Sequence, residues 1–177
     1  MGQLFVQGEN CPSMKLIAEK LGKSDKLDRL RFIRTDGSET QCQMPRQGTL
    51  PHDLVHYVVE SALPFKHGFL SLVAAGSDAG FVMQATHDRA NRAVETEAVQ
   101  AEAIVEALQS QLWGGSFDLE SFGEAARLAA VARDKPAFEL SGIDPKALYC
   151  QAMSLLEQWN QVPNHHSMEL TFVAGGG

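Results

Sequence analysis

Four side chains able to hold a proton or a metal fall in one short stretch of this chain: His52, Asp53, His56 and Glu60. His52 and His56 are four residues apart, so on a helix they stand one turn apart and can share a partner. His56 and Glu60 repeat that spacing. The sequence H-D-x-x-H is one methylene short of H-E-x-x-H, in which two imidazoles bind zinc and a carboxylate beside them takes a proton from water. By that chemistry His52 and His56 are ligands for zinc or another divalent metal, and Asp53 is the water-activating base. Glu60 lies eight residues from His52, ~12 Å along a helix axis at 1.5 Å per residue. A third ligand must therefore come from elsewhere in the fold. Glu97 is one candidate, because it interrupts an apolar stripe where a carboxylate needs a partner. His87, just before that stripe begins, is the other. The same residues have a plainer use: an amphipathic helix needs a polar face, and Asp53 in its first turn suits the helix dipole. Glu97 in turn could pair with an arginine or face a watered gap.

Several elements must position these groups. Thr49 and Pro51 read as the N-cap and first turn of a helix over 50–63 that Pro64 stops, with Leu50, Leu54, Val55, Tyr57, Val58, Ser61 and Ala62 forming its apolar stripe. Ahead of it, residues 14–21 and 28–34 alternate as strands. Asp36-Gly37 then signals a hairpin with a tight primed turn, and 38–44 returns along the second strand. Pro45-Arg46-Gln47-Gly48 joins the strand to the helix, and its arginine beside a helix N-terminus could hold an anion. Residues 69–75 are a compact apolar run, a short helix or a strand. Asp88–Leu112 reads as the longest helix, with Ala90, Val94, Ala101, Ile104, Val105, Leu108 and Leu112 on its apolar face. A helix over 118–133 points Leu119, Phe122, Ala126 and Ala129 inward. Asp144-Pro145 starts another that runs to Asn160 with Leu148, Ala152, Leu155 and Trp159 inward. Met168–Phe172 alternates as a last strand that returns to the sheet. The fold expected is α+β: a small antiparallel sheet, made of an N-terminal meander plus a C-terminal strand, packed by four or five helices. Residues 1–13 read as a loose arm and 14–174 as one domain.

Composition narrows the function classes. The chain has 177 residues, 44% of them hydrophobic and 21% charged, which suits one ordinary globular domain. Its net charge of −7 argues against nucleic acid and against an anionic membrane surface as partners. Cys11, Cys42 and Cys150 are odd in number and widely spaced, the usage of reduced thiols in a cytoplasmic protein. No apolar run approaches the ~20 residues of a membrane span, and the N-terminus lacks the basic and apolar regions of a signal peptide. His67 sits in a loop, and the adjacent His165 and His166 point to opposite sides of an extended chain; all three read as surface residues.

The run M-P-R-Q-G-T-L-P-H-D-L-V-H-Y-V-V-E, following a D-G hairpin, resembles a stretch of a family of small uncharacterised bacterial proteins. The resemblance is close over Met44–Glu60 and loose over Met14–Phe172. It implies a bacterial cytoplasmic protein and brings no activity, cofactor or catalytic residue. Two function classes follow from the residues. The first is a non-catalytic structural or interaction protein whose helix 50–63 presents polar groups to a protein partner or to a second copy in a homodimer. The alternative is a metal-binding protein or metal-dependent hydrolase using the H-D-x-x-H helix, with Glu97 or His87 as third ligand.

Overall fold

A computed structural model describes residues 11–88, 90 and 94–175, so most of the expected N-terminal arm lies outside the described residues. Strands β1 (Ser13–Glu19), β2 (Leu27–Arg34), β3 (Glu39–Pro45) and β4 (Ser167–Val173) form one antiparallel sheet in the order β3-β2-β1-β4. The alternation read from the sequence sets its faces. Met14, Leu16, Ala18, Leu30, Phe32, Met44 and Phe172 are buried on the inner face. The opposite face carries an ion-pair ladder, with Arg31 between Glu19 and Glu39 and Lys15 beside Glu169. The hairpin forms around Asp36-Gly37, but its turn is not the primed one. Gly37 N–H bonds to Arg34 O and Arg34 N–H to Ser38 O, and among the loop residues Gly37 alone has a positive φ, 84°. This is a three-residue loop, a type I turn followed by a left-handed glycine. Asp36 is thereby spared a left-handed backbone, and its carboxylate caps Ser38 N–H instead, at 2.8 Å.

Among the described residues there are six helices, α1 (His52–Ala62), α2 (Phe69–Ala74), α3 (Ala79–His87), α4 (Thr96–Gly114), α5 (Leu119–Val131) and α6 (Pro145–Gln161), of which α1, α2 and α3 pack on the strands. The count exceeds the expected four or five because residues 69–87 form two helices. The segment expected as one helix from Asp88 is non-helical as far as Glu95 where it is described. Asp78 caps α3 by accepting a hydrogen bond from Phe81 N–H. α1 begins at His52, not at Leu50, and Thr49 is not its cap: the Thr49 hydroxyl is buried with no hydrogen-bond partner. α6 buries Leu148, Ala152, Leu155 and Trp159, as its periodicity requires. On α5 Phe122 is buried but Leu119, expected to face inward, is 62% exposed.

α4 is the inner pillar of the helical layer, packed against α1, α3, α5 and α6. Ala98, Ala101, Ala103 and Ala107 are all buried, and small side chains let neighbours approach it on several sides. A helix enclosed in this way has little solvated face for its polar residues. Glu102 is 1% exposed and Gln109 5%.

Candidate metal site between two helices

α1 and α4 meet through polar side chains. His56, in the middle of α1, is wholly buried and bonded at both ring nitrogens: Nδ1 lies 2.8 Å from Glu60 Oε2, and Nε2 lies 2.8 Å from Glu102 Oε2 on α4. Glu60 Oε1 accepts from Leu70 N–H at 3.0 Å, and the Phe69 ring lies edge-on to the imidazole of His56. Gly68 makes this possible, since a Cβ there would collide with Glu60 Oε1. Beyond Glu102 stand two further imidazoles. His52 Nε2 is 3.2 Å from Glu102 Oε2, His87 Nε2 is 3.2 Å from Glu102 Oε1, and the two imidazole nitrogens are 3.3 Å apart. His52 Nδ1 is turned toward Gln109 Oε1 at 2.9 Å. A neutral His52 that donates its ring proton to this amide oxygen turns the Nε2 lone pair toward His87 and Glu102, whereas a protonated His52 donates from Nε2 to Glu102.

His52, His87 and Glu102 are the one group among the described residues whose donor atoms gather closely enough to hold a metal ion. Tetrahedral bonds of ~2.0 Å put neighbouring donors about 3.3 Å apart, and the two imidazole nitrogens here are 3.3 Å apart. Each lies 3.2 Å from Glu102, on different carboxylate oxygens, His52 beside Oε2 and His87 beside Oε1. The three groups open onto a cleft of about 470 Å³ walled by Glu106, Gln109, Trp113 and Arg133.

The electrostatics favour a cation. Burial would raise the Glu102 carboxyl, but hydrogen bonds from His52, His56 and His87 hold it well below the usual range, so it is a carboxylate. Burial would lower His56, yet its bonds to Glu102 and Glu60 reverse that and raise it to about 10. Burial raises Glu60, with His56 opposing. The Glu60–His56 pair is neutral whichever of the two holds the proton. Glu102 is then an enclosed negative charge, and such a charge must be paired or bound to a metal. Without a metal, the neighbouring His52 takes up the demand: burial lowers its affinity for a proton, and the bond to Glu102 more than restores it.

Of the residues singled out in the sequence, His52 and His87 come together at this point. His56 does not join them with a free lone pair; it sits behind Glu102 and holds that carboxylate in place. Asp53, the expected base, is buried against β3, with Cys42 Sγ 3.5 Å from Oδ1, and is not part of the cleft wall. Burial raises its carboxyl, which further disfavours a charged Asp53. Glu97 lies elsewhere, in the first turn of α4, accepting from Lys66 N–H at 2.8 Å and His67 N–H at 2.5 Å. His67 belongs to that contact, with Nδ1 3.5 Å from the carboxylate, while His165 and His166 are exposed. Arg46 in the strand-to-helix joint is occupied by Asp28, at 2.6 and 3.0 Å, so it does not offer its charge to an anion.

The residues missed were Glu102, Gln109, Glu106 and Arg133. A signal for three of them was present: Glu102, Glu106, Gln109 and Trp113 recur at i, i+4, i+7 and i+11, a second stripe along a helix otherwise rich in Ala, Val and Leu. The cysteines are free, consistent with their reading as thiols, and none touches the cluster. No helix among the described residues is long and apolar enough to cross a membrane. No family model, no curated protein and no solved structure matches the chain.

Proposed function

We propose that this is a metal-binding protein that holds zinc or a similar divalent cation between His52, His87 and Glu102. The observation that carries the reading is the convergence of two imidazole nitrogens 3.3 Å apart on one buried carboxylate, with one ligand atom from each of the three residues within 4.8 Å of the others. Three protein ligands with the fourth direction facing a cleft is the pattern of metal sites that act on a substrate, so hydrolysis by a metal-activated water is the activity class this reading favours. Gln109 fixes the tautomer of His52, and His56, backed by Glu60, fixes Glu102. Such outer partners orient ligands and raise their affinity for the ion.

Zinc binding by protein prepared without a histidine tag, measured by competition with a chromogenic chelator, tests the reading. One zinc per chain is expected. His52→Ala, His87→Ala and Glu102→Gln should each weaken binding by at least about 10-fold, and Glu97→Gln should leave it unchanged. Failure to bind zinc, or equal binding by the three ligand variants, would return the cluster to the other class, a hydrogen-bonded interior in a structural or interaction protein.

A further inference from the structure

In the wall of the cleft beside the cluster, two buried side chains each carry an N–H group with no hydrogen-bond partner. Arg133 is 4% exposed. Its Nη2 donates to Glu106 Oε1 at 2.7 Å and its Nη1 to Ala129 O at 3.2 Å, while its Nε has no hydrogen-bond partner. Gln109 is 5% exposed, and its amide nitrogen Nε2 is likewise unpartnered. Both residues line the same cleft as His52, His87 and Glu102. Buried N–H donors are nearly always satisfied, so two orphans in one wall call for an acceptor that arrives from outside the chain. Each is covered by its neighbours, and a small shift of the two side chains toward the cleft must accompany binding.

Charge selects the acceptor. Glu102 and Glu106 bring two negative charges, and Arg133 and a dication bring three positive ones. Counted over these four groups, the loaded cleft carries a single positive charge. Trp113, 57% exposed, forms another part of the wall and offers a flat apolar surface held by its N–H bond to Gln47 O at 3.2 Å. Resting on the metal-site reading above, we infer that the cleft takes a small monoanionic carboxylate with a flat or apolar body. One carboxylate oxygen reaches the metal, the carboxylate supplies the acceptor for Arg133 and Gln109, and the body lies along Trp113. Guanidinium and metal together are a strong carboxylate-binding pair, and a few placed polar groups in an otherwise packed wall are what a ligand cleft offers.

Calorimetric titration of the zinc-loaded protein with benzoate, its neutral isostere benzamide and inorganic phosphate tests the inference, with zinc content read on the same samples. Benzoate should bind at least 10-fold more tightly than either comparator. Arg133→Gln and Gln109→Glu, each assayed at saturating zinc, should each weaken benzoate at least 10-fold; the second adds a negative charge without removing the buried arginine, so it stands if the first variant fails to fold. Zinc-loaded protein that binds benzamide or phosphate as well as benzoate, or a folded variant that keeps full benzoate affinity, overturns the carboxylate inference alone. Protein that takes up no zinc overturns the metal reading, and the inference, whose charge balance needs the dication, falls with it.

Discussion

Two networks of charged side chains cross this molecule, and they are built on opposite terms. On the outer face of the sheet, Arg31 lies 2.7 Å from Glu39 and 3.2 Å from Glu19, Arg29 joins Glu19 as well, and Lys15 is 2.9 Å from Glu169. Between α1 and α4, Glu60, His56, Glu102, His52 and His87 are chained at 2.8–3.2 Å. The distances are alike, and the surroundings are not. Water competes for every charge on the sheet, so those pairs hold little energy. Glu102 is 1% exposed and has only the protein, or a bound cation, to answer it. Glu60, His56 and Glu102 lie in the interior, and the chain runs out through His52 and His87 to a cleft, an arrangement to which the proposed metal site would give a use; the sheet ladder faces solvent.

Breaking the buried network should have the largest effect. Glu102→Ala removes the centre of the chain and strands His56 with one partner. Loss of one member of a buried ionic set costs on the order of 3–5 kcal/mol, to be read as a drop in the chemical-denaturation midpoint of the zinc-loaded protein, together with loss of the metal. Gly68→Ala comes next. Its Cβ pushes Glu60 Oε1 away from Leu70 N–H and loosens the support of His56, an effect of about 1–3 kcal/mol for a buried group left unpaired. It should weaken zinc less than any ligand variant does. If Gly68→Ala is silent in both stability and zinc affinity, Glu60 is not the brace described here.

The networks also separate by pH. His56 has its folded pKa raised from 6.5 to about 10. Its contribution is fully present below 6.5 and is lost as pH rises toward 10. Chelator-treated protein should therefore lose stability steadily across that alkaline window. Glu39 on the sheet is held below its ordinary value by its bond to Arg31, so the ladder's contribution is present at neutral pH and lost as pH falls below 4.5. An alkaline limb that persists unchanged in His56→Gln would assign it to another group. The smallest effect is expected from Glu19→Gln in the ladder, a shift in Tm of no more than about 2 °C.

The strands and α6 were legible because their periods are undisturbed. Met14, Leu16, Ala18 and Leu148, Ala152, Leu155, Trp159 each mark one face and nothing else. α1 misled in an instructive way. Its polar stripe was identified, and a polar stripe ordinarily meets solvent. Val59 lies at the edge of that stripe and Leu63 falls inside it, though, with Val55 next to Val59, and all three are 0% exposed. Apolar residues along the edge of a polar stripe and within it are the mark of a stripe that is buried. Glu97 was chosen as third ligand because a helix phased from Asp88 put it in line with Val94 and Ala101. The helix starts at Thr96, which leaves Glu97 in its first turn with its carboxylate taken up by Lys66 and His67 N–H, and Glu102, five residues on, faces α1 instead. His87 carried no spacing signal at all. It reaches the cluster because α3 ends beside it, a tertiary fact that no local pattern encodes.

The central claim is that the buried network is a metal site with three protein ligands and a position open to the cleft. Cobalt(II) substitution tests it most directly. One cobalt per chain should give the intense visible d–d bands of a four-coordinate tetrahedral ion. Those bands should vanish in His87→Ala and Glu102→Gln, persist in Glu97→Gln, and shift when benzoate enters the open position. Cobalt that stays in a weakly absorbing six-coordinate form, or a tetrahedral spectrum indifferent to His87 and Glu102, would contradict the account.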